Sequence, residues 1–234
     1  MREYFSCTSR NGDVKSLGGS SFFSSWSGGK DSCLALYHAI QHDGIPKAFL
    51  TMMTEGRERS RSHGLPITVF ESQASSLGIP LVLRNSSWAD YEETFLSAAR
   101  EFREDGVEYG VFGDIDLEPH LEWVKRVCAS ASIQACEPLW KGDRSELLNE
   151  FLSLGFKAMI IAVKQGTLDN DFLGQTLDHQ VISDMKNAGI DASGENGEYH
   201  TVVIDGPIFS SPVHLEKGRQ VIMDGYGFLD VSVR

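Results

Sequence analysis

Apolar positions along the first 136 residues alternate between two periods. Phe22 to Trp26 form a short apolar-rich run, the mark of a strand. Beyond it Cys33, Leu36, Tyr37 and Ile40 fall at i, i+3, i+4 and i+7, the spacing of one helix face. Gly44, Ile45 and Pro46 are expected to close that helix. Lys47 to Met53 reads as a buried strand. Ile67, Phe70, Ala74 and Leu77 mark a second helical face, stopped by Gly78 and Pro80. Leu81 to Leu83 predicts a third strand, and Tyr91, Phe95, Ala98 and Phe102 a third helix. Val107 to Gly113 and Ile133 to Cys136 predict two more strands, with Leu121, Val124 and Cys128 on a helix between them. Strands alternating with single helices imply right-handed parallel crossovers and an α/β sheet covered on both faces. Ligands of such sheets sit beyond the carboxyl ends of the strands, where strand order reverses. The loops after Trp26, Met53, Leu83 and Gly113 are therefore where chemistry is expected.

The pattern loosens after Pro138-Leu139-Trp140. Leu147, Leu148 and Phe151 suggest a helix, Ala158 to Val163 a buried strand, and Leu177, Val181 and Met185 another helix. From Thr201 onward short strand-like pieces are separated by Gly and Pro. The organisation expected is a polar, Gly/Ser-rich tail over 1–19, an α/β domain over 20–136, and a smaller mixed domain over 137–234.

Charge and composition narrow the function classes. Lys and Arg number 21 and Asp and Glu 33, a net charge of −12. A chain this acidic repels the phosphate backbone, which argues against a general nucleic-acid binder. No run approaches the ~18 apolar residues of a membrane span. The first residues lack the apolar core of a secretory signal, so a cytoplasmic protein without membrane partners is expected. Cys7, Cys33, Cys128 and Cys136 contain no C-x-x-C pair, and all four are expected to be reduced and without a catalytic part. Trp26, Trp88, Trp123 and Trp140 are expected to be core or interface residues.

Ser27-Gly28-Gly29-Lys30-Asp31-Ser32 is the strongest local signal. It follows a strand and opens a helix. Two adjacent glycines allow close approach of an anion to the backbone, and the helix start offers unpaired N–H groups and a positive dipole end. Lys30 adds a cation, and Ser27 and Ser32 add hydroxyls. The arrangement is a cradle for phosphate or pyrophosphate. It is not a Walker A loop, because the first glycine of G-x-x-x-x-G-K-[ST] is missing and Asp follows the Lys.

Three further clusters invite chemistry. Gly194-Glu195-Asn196-Gly197-Glu198-Tyr199-His200-Thr201 gathers two carboxylates, an imidazole and a hydroxyl. Glu195 or Glu198 could hold Mg²⁺, since hard cations take oxygen ligands, or the group could orient an amine; a solvated acidic turn is the plain alternative. Asp114, Asp116, Glu118 and His120 follow the fourth predicted strand and either face a ligand or cap the next helix. Arg57, Arg59, Arg61 and His63 form a basic loop after the second long strand. They either clamp phosphates or a substrate carboxylate or lie solvated.

Together these stretches resemble the diphthine–ammonia ligase type of ATP pyrophosphatase, a PP-loop family of the adenine nucleotide α-hydrolase-like superfamily. The matching segments are SWSGGKDS (25–32), MMTEGRERSRSHG (52–64), FGDI (112–115), EPLW (137–140), FLG (172–174) and GENGEYHTVVIDGP (194–207). SGGKDS is shared with tRNA-thiolating enzymes, lysidine synthetases and sulfate-ester reductases; GENGEYHT with EPLW narrows the choice. The resemblance implies an α/β fold, with a parallel-sheet, HUP-like (Rossmann-like) ATP pyrophosphatase domain and a smaller C-terminal α+β domain. It implies an ATP-dependent, AMP-forming carbon–nitrogen ligase that adenylates a small-molecule or protein carboxylate and transfers ammonia. Ser27, Gly28, Gly29, Lys30, Asp31 and Ser32 would hold the pyrophosphate, with Lys30 stabilising developing charge. Met52, Met53, His63, Gly113 and Asp114 would border the rest of the ATP, and Mg²⁺, with Asp31 as a ligand, would bridge phosphate oxygens. Lys30, Asp31, Glu195, Glu198 and His200 would carry the chemistry, and Arg59, Arg61, Asn196, Tyr199 and Thr201 would meet the substrate.

The chain departs from the diphthamide-forming pattern at His200-Thr201, where archaeal and eukaryotic members carry Glu-Thr. The His-Thr form is common in bacterial members, and bacteria have no diphthamide, so the resemblance implies the ATP chemistry more tightly than the carboxylate. The absence of a glutaminase-like segment points to free ammonia or a separate donor; a homodimer is left open. Two rival readings remain: a PP-loop tRNA-modifying enzyme, which the acidic charge and unpaired cysteines disfavour, and an adenine-nucleotide-binding protein without catalysis, which would not need the SGGKDS loop.

Overall fold

The computed structural model describes residues 6–7, 17–56, 59–60 and 63–234. Its elements run β1 (Ser6–Cys7), β2 (Ser21–Ser25), α1 (Lys30–Gln41), β3 (Ile45–Met53), α2 (Ile67–Leu77), β4 (Leu81–Asn85), α3 (Tyr91–Glu104), β5 (Tyr109–Val111), α4 (Glu118–Ser130) and β6 (Gln134–Glu137). Then follow α5 (Arg144–Ser153), β7 (Lys157–Lys164), a 3₁₀ turn at Asn170–Phe172, α6 (His179–Asn187), β8 (Tyr199–Asp205), β9 (Leu215–Met223) and β10 (Tyr226–Val233). They form two compact units that interleave along the chain. One comprises 1–27, 31–61 and 79–142; the other comprises 28–30, 62–78 and 143–234.

The first unit carries a sheet of order β1-β6-β5-β2-β3-β4. β6, β5, β2, β3 and β4 are parallel, as the alternation of periods requires. β1 adds an antiparallel edge, pairing Ser6 with Glu137 and Cys7 with Cys136. Strand order reverses between β2 and β5, which opens the crevice beyond Ser25 and Val111. Phe23 anchors the core beneath one face: it stacks on Phe102 at 5.0 Å and meets Phe95 edge-on at 6.1 Å. Ala98, Ala99, Val124, Val127 and Cys128 complete that core from the buried faces of α3 and α4, the faces that the 3.6-residue spacing marks.

The second unit carries an antiparallel sheet of order β8-β7-β10-β9. β7 is apolar and buried from Ala158 to Val163, between β8 and β10. α2 belongs to this unit although it follows β3 in the chain. Its Gln73 is fully buried and donates from Nε2 to the carbonyl of Val203 at 2.7 Å.

Five expectations are corrected. Ser6–Cys7 lie in the stretch expected to be a tail, yet form β1. Cys136 is disulfide-bonded, not reduced. Cys33 and Cys128 are free and buried. Leu177 precedes α6 instead of lying on it: its N–H donates to the Ala158 carbonyl, and Asp178 caps the helix by accepting from the N–H of Val181. Trp88 is 74% exposed, whereas Trp26 is buried against Phe49. Gly44 ends α1, but Ile45 and Pro46 already belong to β3. Among the described residues no helix is long and apolar enough to cross a membrane.

Candidate active site

Within the second unit, Gly28, Gly29 and Lys30 are tied to β8 and α2. The Gly28 carbonyl accepts from the Val203 N–H at 2.9 Å and from Gln73 Nε2 at 3.0 Å. At Gly29 a Cβ would fall 2.3 Å from Cε1 of His63, so the position admits only glycine without displacing that ring. The Lys30 N–H donates to Thr201 Oγ1 at 3.1 Å across 171 positions of sequence. The Lys30 side chain is buried, its Nζ 3.6 Å from Glu195 Oε1 and 5.9 Å from the centre of the Tyr199 ring.

The Gly194–Thr201 segment is held from within. Glu198 is buried and accepts from the Asn196 N–H at 3.0 Å and Nδ2 at 3.1 Å. The Tyr199 hydroxyl donates to the Ala192 carbonyl, and the Tyr226 hydroxyl to the Gly197 carbonyl. Glu198 thus fixes the loop, while Glu195 is the carboxylate that meets Lys30.

Two imidazoles line the same group. His63 Nδ1 lies 2.9 Å from the Thr201 carbonyl, which can only accept, so Nδ1 carries the hydrogen. The rings of His63 and His200 lie 4.8 Å apart, and His200 stacks on Tyr226 at 5.7 Å. Burial first, then the charges of His200 and Lys30, lowers His63 to about 3, against the pull of Thr201. Burial and the Lys30 charge lower His200 to about 4. Both rings are neutral at neutral pH.

Within the first unit, the crevice between β2 and β5 gathers a second group. Ser27 Oγ donates to Ser32 Oγ at 3.1 Å. A Cβ on Gly113 would stand 2.8 Å from the Asp31 carbonyl carbon and the Ser32 nitrogen. Gly113 therefore lets the loop after β5 lie directly on the start of α1. Asp114 Oδ1 is 3.0 Å from His120 Nδ1. Met52 and Met53 are buried, and the Met53 carbonyl accepts from the Ser86 N–H. Glu137 ends β6 and is 3% exposed. Burial first, then the Asp114 charge, raises its carboxyl to about 8.

Residues 22–135 match the family model for the diphthamide synthase N-terminal domain, and residues 143–233 that for the diphthamide synthase C-terminal domain. The chain belongs to the diphthamide synthase family. Among its relatives, the human protein named diphthine–ammonia ligase is 34% identical over 113 residues, covering 47% of this chain and 42% of the human one. The zebrafish (Danio rerio) protein of that name is 26% identical over 235 residues, covering 88% of this chain and 90% of its own. The fission yeast (Schizosaccharomyces pombe) protein of that name is 30% identical over 95 residues, 39% of this chain and 16% of its own. The match thus spans less than half the length of the human relative.

In this diphthamide synthase family member the structure brings Gly28, Gly29, Lys30, His63, Glu195, Tyr199, His200 and Thr201 together in one unit. Ser27, Asp31, Ser32, Gly113 and Asp114 gather in the other. Arg59 lies in a loop beside Thr54, and Arg57 and Arg61 lie outside the described residues. Among the described residues no group of three or more His, Cys, Asp or Glu side chains could hold a metal by itself. Asp31 offers one carboxylate, which suits an ion held mainly by substrate phosphates. Sequence reasoning missed Gln73, Tyr226 and the carboxyl of Glu137. Gln73 sits three residues after Phe70 on an otherwise apolar helix face, and Glu137 is the single acid in QACEPLW; a polar residue inside an apolar pattern was the available signal.

The neutral histidines give a pH dependence with a definite sign. Below about pH 6.5 the unfolded chain takes up protons on His63 and His200 that the folded chain refuses until about 3 and about 4. Stability therefore falls as pH drops from 6.5 towards 4, by up to about 1.4 kcal/mol per pH unit for each histidine. Urea midpoints at pH 7 and pH 5 are expected to differ, and His200→Gln is expected to narrow the difference. An unchanged difference in that variant refutes the assignment.

Proposed function

We propose that the protein is an AMP-forming ligase: it adenylates a carboxylate with ATP, releases pyrophosphate, and lets ammonia displace AMP to form an amide. The single observation that carries this reading is the buried Lys30, fixed through its N–H to Thr201 and through Nζ to Glu195. The phosphate-loop lysine is thereby joined to the segment that marks the family. The relatives named diphthine–ammonia ligase support the same chemistry, and the family match favours it over a tRNA-modifying enzyme or a binding protein without catalysis.

In this reading Ser27 to Ser32 hold the β- and γ-phosphates at the start of α1, with N–H groups and hydroxyls as donors. Gly113 lets the loop after β5 lie directly on that helix start, and Asp114 borders the ribose and α-phosphate. Lys30 faces the negative charge that develops on the leaving pyrophosphate, already oriented by Glu195 before substrate binds. Asp31 would hold Mg²⁺, which would supply positive charge to the phosphates. His200, neutral and beside Lys30, offers an uncharged lone pair or N–H to the carboxylate or the incoming amine. The carboxylate is a small molecule or a protein side chain, diphthine among the candidates, and a cytoplasmic setting supplies ATP and ammonium.

The test is direct. Purified protein, ATP, Mg²⁺ and ammonium are incubated with a panel of carboxylates, and AMP, pyrophosphate and amide are measured. One carboxylate is expected to raise AMP release and to yield amide in equal amount. A protein that binds no adenine nucleotide overturns the reading.

A further inference from the structure

Glu137 ends β6 on the side of the parallel sheet where the strands' carboxyl ends meet ligands. Both of its carboxyl oxygens are buried and lack a hydrogen-bond partner among the described residues. Native proteins seldom leave a buried acceptor unmatched, because the cost is about 1–3 kcal/mol and more for a charged group. The surroundings do not repair it. Glu137 feels the negative charges of Asp114 and Glu118 and, against them, the positive charges of Lys125 and His120. Asp114 is bonded to His120, and Glu118 lies 4.0 Å from Lys141. Burial first, then the Glu137 charge, raises the free thiol of Cys128 to about 12. The pocket of charge around Glu137 thus calls for a donor.

We propose that Glu137 binds and deprotonates the ammonium ion that supplies the amide nitrogen, with Asp114 as the neighbouring carboxylate; this rests on the ligase reading above. An ammonium ion carries four N–H donors and needs acceptors only. Two unmatched oxygens with a second carboxylate nearby suit it better than a divalent metal, for which the described residues offer no three-ligand group. In the transfer one N–H bond breaks and one O–H bond forms on Glu137, leaving neutral ammonia with its lone pair. The C–N bond then forms as the C–O bond to AMP breaks; the nitrogen's surplus proton leaves to solvent, and Glu137 returns its own proton to solvent before the next turnover. Burial first, then the Asp114 charge, raises the carboxyl to about 8, which brings it closer to an ammonium ion than an ordinary carboxylate stands; each remaining unit of mismatch costs about 1.4 kcal/mol, and the fraction of Glu137 able to accept the proton grows as pH rises.

The test uses Glu137→Gln, which keeps the shape and removes the proton acceptor. Three readouts separate the outcomes: carboxylate-dependent ATP–pyrophosphate exchange without ammonium, the KM for ammonium in amide formation, and amide formation with hydroxylamine, a nucleophile already neutral at pH 7. The expected result is exchange close to wild type, at least a tenfold rise in the ammonium KM or a tenfold fall in kcat with ammonium, and retained turnover with hydroxylamine. An unchanged ammonium KM and kcat, or a loss confined to the KM for ATP or to the Mg²⁺ requirement, overturns the proposal. Absence of exchange in the wild type refutes the ligase reading instead. The Glu137→Ala variant, with thermal melting beside it, guards against misfolding as the cause: a folded alanine variant must show the same ammonium defect.

Discussion

Replacing Lys30 with alanine is expected to lower AMP release about 10²–10³-fold at saturating ATP, the usual cost of removing one preorganised charge-stabilising donor. The expectation follows from how the lysine is held. Its side chain is 8% exposed, its backbone N–H is engaged by Thr201, and its ammonium is set beside Glu195. Such a cation needs little reorganisation when charge develops on the leaving pyrophosphate, and low water content strengthens its field. A solvated surface lysine would contribute far less. Steady-state AMP release and the KM for ATP, measured together, separate the two roles. A large fall in kcat places Lys30 at the transition state, whereas a rise in KM alone makes it a ground-state phosphate ligand. A change below threefold in both would remove Lys30 from the chemistry.

The same lysine shows how far the chain could be read without coordinates. The parallel sheet was legible because every strand from β2 to β6 is an apolar run followed by a 3.6-residue pattern. The phosphate loop was legible because SGGKDS stands between such a strand and such a helix. Contacts over long sequence separation were not legible. Nothing local joins Lys30 to Thr201, or Gln73 to Val203; these pairings depend on where β8 and α2 settle within the second unit. Local rules also mislead where one side chain redirects the backbone. Asp178 captures the Val181 N–H and starts α6 after Leu177, although Leu177 fits the helical spacing. Glu137 was harder to read: QACEPLW offers one acid at a strand end, and its burial then shows that both oxygens lack a match among the described residues.

The largest effect on stability is expected at Glu195. Glu195→Leu removes the carboxylate 3.6 Å from Lys30 Nζ while both side chains stay mostly shielded from water. Breaking a buried pair from one side leaves an uncompensated charge, at a cost of about 3 kcal/mol. Lys30→Met leaves the complementary fault. Replacing both together removes two desolvated charges at once, and an apolar pair of similar volume is often as stable as the ion pair it replaces. The double variant is therefore expected to melt well above the sum of the single losses, with a coupling of about 1–3 kcal/mol. Urea unfolding of the four proteins gives that number, and additive losses would refute the pairing. AMP release carries the complementary information. It is expected to stay low in all three variants, including the restabilised one, because recovery of packing does not restore a cation at the phosphates. A double variant that regained both stability and turnover would mean the pair only fills space. One that regains stability alone would separate the two roles, with Glu195 holding in place a charge that the fold does not need.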